Sequence, residues 1–125
     1  MNNIKDQIID RGLESKAKII LPEVNDDRIK KATKELKSIG YDIVHINDFN
    51  DNYDSYLEML SRMKFCKNWP YEEIKKYLED PVHYGMMAVA NGDADGLVAG
   101  AVTSTGEVIR SSIRIVGISD DSDCV

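Results

Sequence analysis

The residues best suited to chemistry in this chain lie between positions 104 and 110, where Ser104, Thr105 and Gly106 are followed by Arg110. Glu107 has the capping-box spacing from Ser104, so a helix is predicted to begin at Ser104. The first turn of a helix presents unpaired backbone N–H groups and a partial positive charge, and it therefore favours anions. Hydroxyls, a glycine and an arginine at such a start fit a phosphate or an acyl phosphate. The alternative is a capped helix start with a structural role only.

The segment before this helix predicts how its start is positioned. Asp80 and Pro81 are residue types suited to an N-cap and a first helical turn, and Gly92 suits a left-handed exit. Residues 95–102 form an apolar run without polar alternation, which is typical of a strand covered on both faces in a parallel sheet. The order helix, turn, strand, loop, helix therefore places the anion site just beyond the end of a strand.

The rest of the chain alternates strands with helices. Strands predicted at residues 18–21 and 41–46 flank a helix that begins at Asn25 or Asp26 and ends at Gly40. The remaining predictions are a short helix at 3–13, a polar loop at 47–54, and amphipathic helices at 55–63 and 70–78. This alternation predicts an α/β fold, a three-layer α/β/α arrangement around a mainly parallel sheet, and a single domain over residues 1–125.

Composition excludes several classes of function. The net charge of −6 argues against a nucleic-acid partner, which needs a basic face. No apolar run approaches membrane-spanning length and the N-terminus lacks the pattern of a signal peptide, so a cytoplasmic protein without a membrane partner is expected. Cys66 and Cys124 have no metal-ligand spacing, and no metal site is predicted. Asp93 and Asp95 are interpreted as turn residues, with a divalent-ion loop as the alternative.

Several motifs together resemble the phosphate acetyltransferase (phosphotransacetylase) and phosphate butyryltransferase family. The family pattern resembles a DP pair, an aromatic and a small residue, a Met pair, then G(D/E)ADGLV.GA, a hydroxyl pair and an arginine. The matching positions here are 80–81, 84–87, 92–101, 104–105 and Arg110. Upstream, IILPE at 19–23, with Asn25, Asp27 and Arg28 after it, is similar to the family's first strand and helix start, and Arg62 in SRMK is similar to an arginine of an LRxxKG stretch. The glycine of that stretch is absent, because residues 65–69 read FCKNW.

The resemblance implies reversible acetyl transfer between acetyl phosphate and coenzyme A, with release or uptake of inorganic phosphate. It implies an isocitrate/isopropylmalate dehydrogenase-like fold, of which this chain is the first portion. Ser104 and Thr105 would contact the phosphate end of the substrate, and Arg110 and Arg62 would hold anionic groups of coenzyme A. Coenzyme A would be a substrate, with no bound cofactor, and the full-length protein would be a homodimer.

The same resemblance leaves the catalytic step outside this chain. Family members continue into a second half with the serine, arginine and aspartate assigned to acyl transfer, so the isolated 125-residue chain is expected to be inactive. One alternative is a regulatory domain that binds acyl-CoA or acetyl phosphate without turning it over, as at the end of some malic enzymes. Another is a generic nucleotide-binding module, but neither GxGxxG nor GxxxxGK[ST] occurs.

Overall fold

The computed structural model describes residues 3–119. Cys124 and most of the acidic C-terminal segment lie outside the described residues. The helices are α1 Ile4–Ser15, α2 Asp27–Ser38, α3 Tyr53–Ser61, α4 Tyr71–Leu78, α5 Pro81–Ala90 and α6 Thr105–Ile115, with 3₁₀ helices at Ile46–Asn52 and Lys64–Cys66. The strands are β1 Lys18–Ile20, β2 Asp42–Val44 and β3 Gly96–Leu97.

The three strands form a parallel sheet in the order β2-β1-β3. Ile20 of β1 is in register with Val44 on one side and with Leu97 on the other. Paired residues in register share a face, so these three side chains point the same way. A methyl group on Gly85 of α5 would lie 3.4 Å from Ile20 Cγ2, which identifies α5 as the cover of that face.

Helix α2 lies on the opposite face. It connects β1 to β2, whereas α3, α4 and α5 connect β2 to β3 on the other side of β1. Right-handed crossovers that move in opposite directions across a sheet place their helices on opposite faces. Ile43 is buried on the face that Val44 does not use. The predicted α/β class with three layers is confirmed.

The main core lies between the sheet and the helices α3, α4 and α5. Its most enclosed members include Ile20, Tyr56, Leu60, Leu78 and Met87, each fully or almost fully buried. Amphipathic spacing accounts for the buried positions of α3 and α4, which each turn one apolar face inward, whereas α5 is buried on all sides from Val82 to Ala88. Helix α6 joins the core through buried Ser111 and Ile115.

Two predicted elements differ from the structure. The polar residues 47–54 are not an open loop, because a 3₁₀ helix begins at Ile46. His45 Nδ1 accepts from Asn47 N at 3.0 Å and Asp48 Oδ2 accepts from His45 N at 3.1 Å, so both side chains cap this helix. The third strand ends at Leu97 rather than at residue 102, although Val98 N still donates to Ile20 O. Val98 and Val102 are 61% and 70% exposed, so the expectation of a strand covered on both faces was wrong for this part of the run.

Candidate functional site

A cleft of about 250 Å³ opens at the carboxyl edge of the sheet. Its walls are residues 22–26, which follow β1, together with residues 80–82 at the start of α5, and Val102 and Thr103. The strand order β2-β1-β3 makes the boundary between β1 and β3 the point where the winding direction reverses. Ligands of open α/β sheets bind in the crevice at this position. The cleft therefore lies where the fold favours a binding site.

Three helix starts converge on the cleft, and each is capped by a side chain. Asp26 Oδ1 accepts from Arg28 N at 2.8 Å, and Asp80 Oδ1 accepts from Val82 N at 2.9 Å. Ser104 Oγ accepts from Glu107 N at 3.2 Å, which confirms the predicted start of α6. The positive ends of three helix dipoles thus point toward one region. At α2 and α5, the carboxylate of the capping residue offsets this positive charge.

Glu23 holds the loop between β3 and α6. Its Oε1 accepts backbone hydrogen bonds from Gly100 and Ala101 at 2.7 and 2.9 Å, and its Oε2 accepts from Val102 and Thr103 at 2.6 and 2.7 Å. Burial favours the neutral carboxyl, but the four donors outweigh it and lower the pKa of Glu23 from 4.5 to about 2. Beyond the end of β3, these four N–H groups thus serve a carboxylate rather than a strand ladder.

Arg28 holds the same loop through a carbonyl group. Its Nη2 donates to Ala101 O at 2.7 Å and to Asp26 Oδ2 at 2.9 Å. The side-chain hydrogen bond from Arg28 is the largest cause that lowers the pKa of Asp26 to about 2. Two charged side chains after β1, Glu23 and Arg28, therefore contact the loop, and Asp26 holds the Arg28 side chain.

Sequence reasoning missed the roles of Glu23 and Arg28. Both occur in the quoted motif after the first strand, but no spacing rule connects positions 23 and 28 with positions 100–103. Gly100, with φ of +121°, is the one signal within the apolar run, because a glycine there permits a turn that would end a strand. Local sequence patterns do not identify which distant side chain will accept hydrogen bonds from such a turn.

The predicted site residues on α6 lie together. Ser104 caps the helix, Thr105 is exposed in its first turn, and Arg110 lies in its second turn with Nη1 3.0 Å from Glu107 Oε2. The predicted capping box is only half formed, because the carboxylate of Glu107 bonds to Arg110 and to buried His83.

Arg62 lies elsewhere, at the C-terminal cap of α3, where it forms an ion pair with Glu58. The hydrogen bonds and ion pairs found within residues 3–119 do not connect it to Ser104, Thr105 or Arg110.

The turn at residues 92–96 is structural. Asp93 Oδ2 accepts from Tyr56 Oη at 2.5 Å and from Asn91 Nδ2 at 2.9 Å, and Asp95 Oδ2 accepts from Lys18 N at 2.8 Å. Between residues 3 and 119, no group of three or more His, Cys, Asp or Glu side chains is placed to hold a metal ion. The same part of the chain contains no helix long and apolar enough to cross a bilayer.

Cys66 is not a suitable nucleophile. Its side chain is buried, and that burial raises the pKa of the thiol to about 11.

Fold and site together define an α/β protein whose ligand cleft lies at the switch point of a parallel sheet, beside the capped start of a helix. The model of the phosphate acetyl/butaryl transferase family matches residues 37–125. The chain therefore belongs to the phosphate acetyl/butaryl transferase family.

Individual relatives agree with this assignment. The chain is 33% identical to a phosphate acetyltransferase of Acetivibrio thermocellus, over 89% of this chain and 40% of that protein. It is 26% identical to a phosphate acetyltransferase of Corynebacterium glutamicum, over 87% of this chain and 41% of the relative. The chain thus spans about two fifths of the length of these curated relatives.

Solved structures support the fold. A phosphotransacetylase from Streptococcus pyogenes superimposes with a TM-score of 0.70 at 27% identity, covering 91% of this chain and 43% of that one. The EutD phosphotransacetylase from Staphylococcus aureus gives a TM-score of 0.79 at 22% identity, over 99% and 46% of the two chains, and is evidence for the fold alone. This partial coverage agrees with the predicted likeness to a first portion of the family fold.

Proposed function

We propose that this chain forms the substrate-binding first portion of a phosphate acetyltransferase, which moves an acetyl group reversibly between acetyl phosphate and coenzyme A. The observation that carries the proposal is the family match over residues 37–125, combined with a cleft at the switch point of the sheet. Residues 1–125 would act as one domain of a longer, homodimeric catalytic unit. A cytoplasmic location remains a prediction from the sequence.

The proposed reaction needs a base for the thiol, hydrogen-bond donors for the carbonyl oxygen, and positive charge for the phosphate and coenzyme A. The thiolate sulfur of coenzyme A attacks the acetyl carbonyl carbon, the bond from that carbon to the bridging phosphate oxygen breaks, and its electron pair leaves with phosphate. The thiol proton passes to a base, and donors must stabilise the carbonyl oxygen as it becomes tetrahedral. We assign the base and the donors for that oxygen to the C-terminal half of the longer protein. This chain would supply charge for the phosphate and for coenzyme A.

Ser104 and Thr105 are proposed to contact the phosphate end of acetyl phosphate. Thr105 is exposed in the first turn of α6, and the N-cap Ser104 directly follows the cleft residue Thr103. The caps on α2 and α5 are carboxylates, whereas the cap on α6 is a neutral hydroxyl. The first turn of α6 also carries the carboxylate of Glu107, but His83 and Arg110 pair with it. We therefore assign the added anion to the start of α6.

Arg110 and Arg62 are proposed to bind anionic groups of coenzyme A. Their side chains are 59% and 76% exposed, and each pairs with a carboxylate on its own helix. Such surface pairs contribute only about 0–1 kcal/mol, so an arginine can exchange its carboxylate for a phosphate at little cost. The guanidinium group also binds phosphate oxygens in pairs.

Titration calorimetry of coenzyme A and of inorganic phosphate into this chain tests the assignment. Arg110→Gln should weaken coenzyme A binding about tenfold, the effect of one charge-assisted hydrogen bond, and Arg62→Gln should act in the same direction. Arg11→Gln, at an exposed position on α1, is the matched control and should leave affinity unchanged. Equal affinity in the Arg110 variant would remove that residue from the site.

Activity is tested separately. This chain alone should form no acetyl-CoA from acetyl phosphate and coenzyme A, whereas a longer polypeptide that includes the C-terminal half should do so. Turnover by the isolated chain would show that the base lies within residues 1–125. Binding without turnover in the longer polypeptide would favour the regulatory role instead.

A further inference from the structure

The four backbone N–H groups at positions 100–103 form a concave anion site that Glu23 already occupies. All four donors lie within 3 Å of one carboxylate, two on each oxygen. Successive N–H groups can converge in this way because Gly100 adopts a φ of +121°, a conformation that side chains disfavour. The donors and the acceptor come from residues 77 to 80 positions apart in the chain, so the contact forms only on folding.

Oppositely charged residues on either side of the start of α2 bind different groups of this loop. Glu23 accepts from the N–H groups, while Arg28 donates to the carbonyl of Ala101. The loop ends at Thr103, and the next residue is the N-cap of α6. Any movement of the loop therefore moves the start of α6 as well.

We propose that Glu23 is a positioning residue: its carboxylate acts as an internal anion that fixes residues 100–103 and so orients the Ser104–Thr105 helix start toward the cleft. A second consequence follows from its negative charge. With the four loop donors already engaged by a carboxylate, an incoming phosphate is directed to the α6 start and away from the loop itself. This role in ligand placement rests on the proposed function, whereas the fixing of the loop does not.

Glu23→Gln tests the loop directly. An amide keeps one acceptor oxygen and replaces the other with an NH₂ group, so in either orientation one pair of backbone donors loses its acceptor. Amide hydrogen exchange should accelerate about tenfold or more at Gly100 and Ala101, or at Val102 and Thr103. Amides of β1 and β2 should keep their rates, and Glu35→Gln, at an exposed position on α2, should change none of them. Unchanged exchange throughout 100–103 would overturn the proposal.

Chemical rescue provides an outcome that a general loss of packing would not give. Glu23→Ala empties the anion site, and formate added at constant ionic strength should refill it. We expect the melting temperature of this variant to rise saturably with formate, and the amide signals of 100–103 to return toward their wild-type positions. Chloride should give no saturable rise with Glu23→Ala. Formate should give none with the unsubstituted chain or with Glu35→Ala. A folded Glu23→Ala variant that formate does not stabilise would contradict the proposal, and if this variant does not fold, the exchange rates of Glu23→Gln decide.

A phosphate titration separates the inference from the proposed function. Inorganic phosphate should shift the Thr105 amide signal of the unsubstituted chain, and Glu23→Gln should weaken that binding about tenfold, as expected for misaligned charge-assisted donors. If phosphate does not shift the Thr105 signal of the unsubstituted chain, the phosphate site is refuted. The exchange and rescue experiments would still test whether Glu23 fixes the loop. Equal affinity in both proteins would show that Glu23 does not position the site.

Discussion

His83 Nε2 lies 3.1 Å from Glu107 Oε1, so the imidazole at the start of α5 is joined to the first turn of α6. Its other nitrogen, Nδ1, lies 2.7 Å from the carbonyl oxygen of Tyr77, and the two rings stack with centroids 3.7 Å apart. The side chain of His83 is 8% exposed. One buried ring thus connects α4, α5 and the helix that bears the predicted anion-binding residues.

Removal of this ring should destabilise the protein. His83→Ala leaves a cavity beside Tyr77 and deprives the partly buried Glu107 carboxylate of a partner, and we expect the free energy of unfolding to fall by about 2–4 kcal/mol. Denaturant unfolding followed by circular dichroism measures the change. In a double-mutant cycle with Glu107→Ala, the coupling energy should be about 1 kcal/mol. Strict additivity would show that the 3.1 Å contact contributes nothing.

The depressed pKa of Glu23 predicts a specific dependence of stability on pH. The folded-state pKa of about 2 lies below the ordinary glutamate pKa of 4.5, so the ionised carboxylate stabilises the fold fully above about pH 4.5. That contribution is lost as the pH falls from 4.5 toward 2. The difference in free energy of unfolding between the unsubstituted chain and Glu23→Gln should therefore be constant from pH 7 to about pH 5 and shrink below it. A difference that grows in acid would contradict this sign.

Two glycines on helices should respond oppositely to alanine. A methyl group on Gly85 would lie 2.6 Å from Leu97 Cδ1, so Gly85→Ala should cost about 1–3 kcal/mol through overpacking between α5 and β3. A methyl group on Gly106, in the first turn of α6, would lie in open space. Gly106→Ala should therefore be neutral or stabilising by up to about 1 kcal/mol. Thermal unfolding of both variants tests the contrast. Adding Leu97→Val should restore part of the loss in Gly85→Ala, whereas no recovery would place the strain elsewhere.

The buried hydroxyl of Tyr56 should contribute measurably to stability. It donates to Asp93 Oδ2 at 2.5 Å and joins α3 to the turn before β3. Burial is the main cause that raises the pKa of this hydroxyl, so it remains a donor at neutral pH. Tyr56→Phe should lower the free energy of unfolding by about 1.5–3 kcal/mol, as expected for a hydrogen bond to a charged group.

Tyr71→Phe serves as its control. That ring is 57% exposed, and its change should stay within about 0.5 kcal/mol. Equal effects at the two tyrosines would show that the hydrogen bond from Tyr56 to Asp93 adds nothing beyond the loss of an exposed hydroxyl.

Local signals in the sequence were sufficient for most helix boundaries. Asp26, Asp80 and Ser104 cap the helices that their residue types predicted, because a cap depends on neighbours only two or three positions away. The apolar spacing within the helices likewise identified most of the inward faces. The alternation of strands and helices was enough to predict a parallel α/β sheet.

The loop beyond β3 shows where local reasoning fails. An apolar run from 95 to 102 has the composition of a buried strand, yet the backbone leaves the sheet after Leu97 and binds a carboxylate. The acceptor, Glu23, is distant in sequence, and it forms charge-assisted hydrogen bonds with four N–H groups that local strand propensity does not take into account.

The sequence by itself determined the family, the class of fold and the helix start at Ser104, since motifs, periodicity and caps are all properties of neighbouring residues. Only the tertiary structure decided that Glu23 and Arg28 hold that start in place, that His83 supports it from behind, and that Arg62 lies apart from it. The physical reason is that long-range charge-assisted hydrogen bonds depend on which ends of which elements meet at the edge of the sheet. That meeting is fixed by topology and packing, which no short stretch of sequence contains.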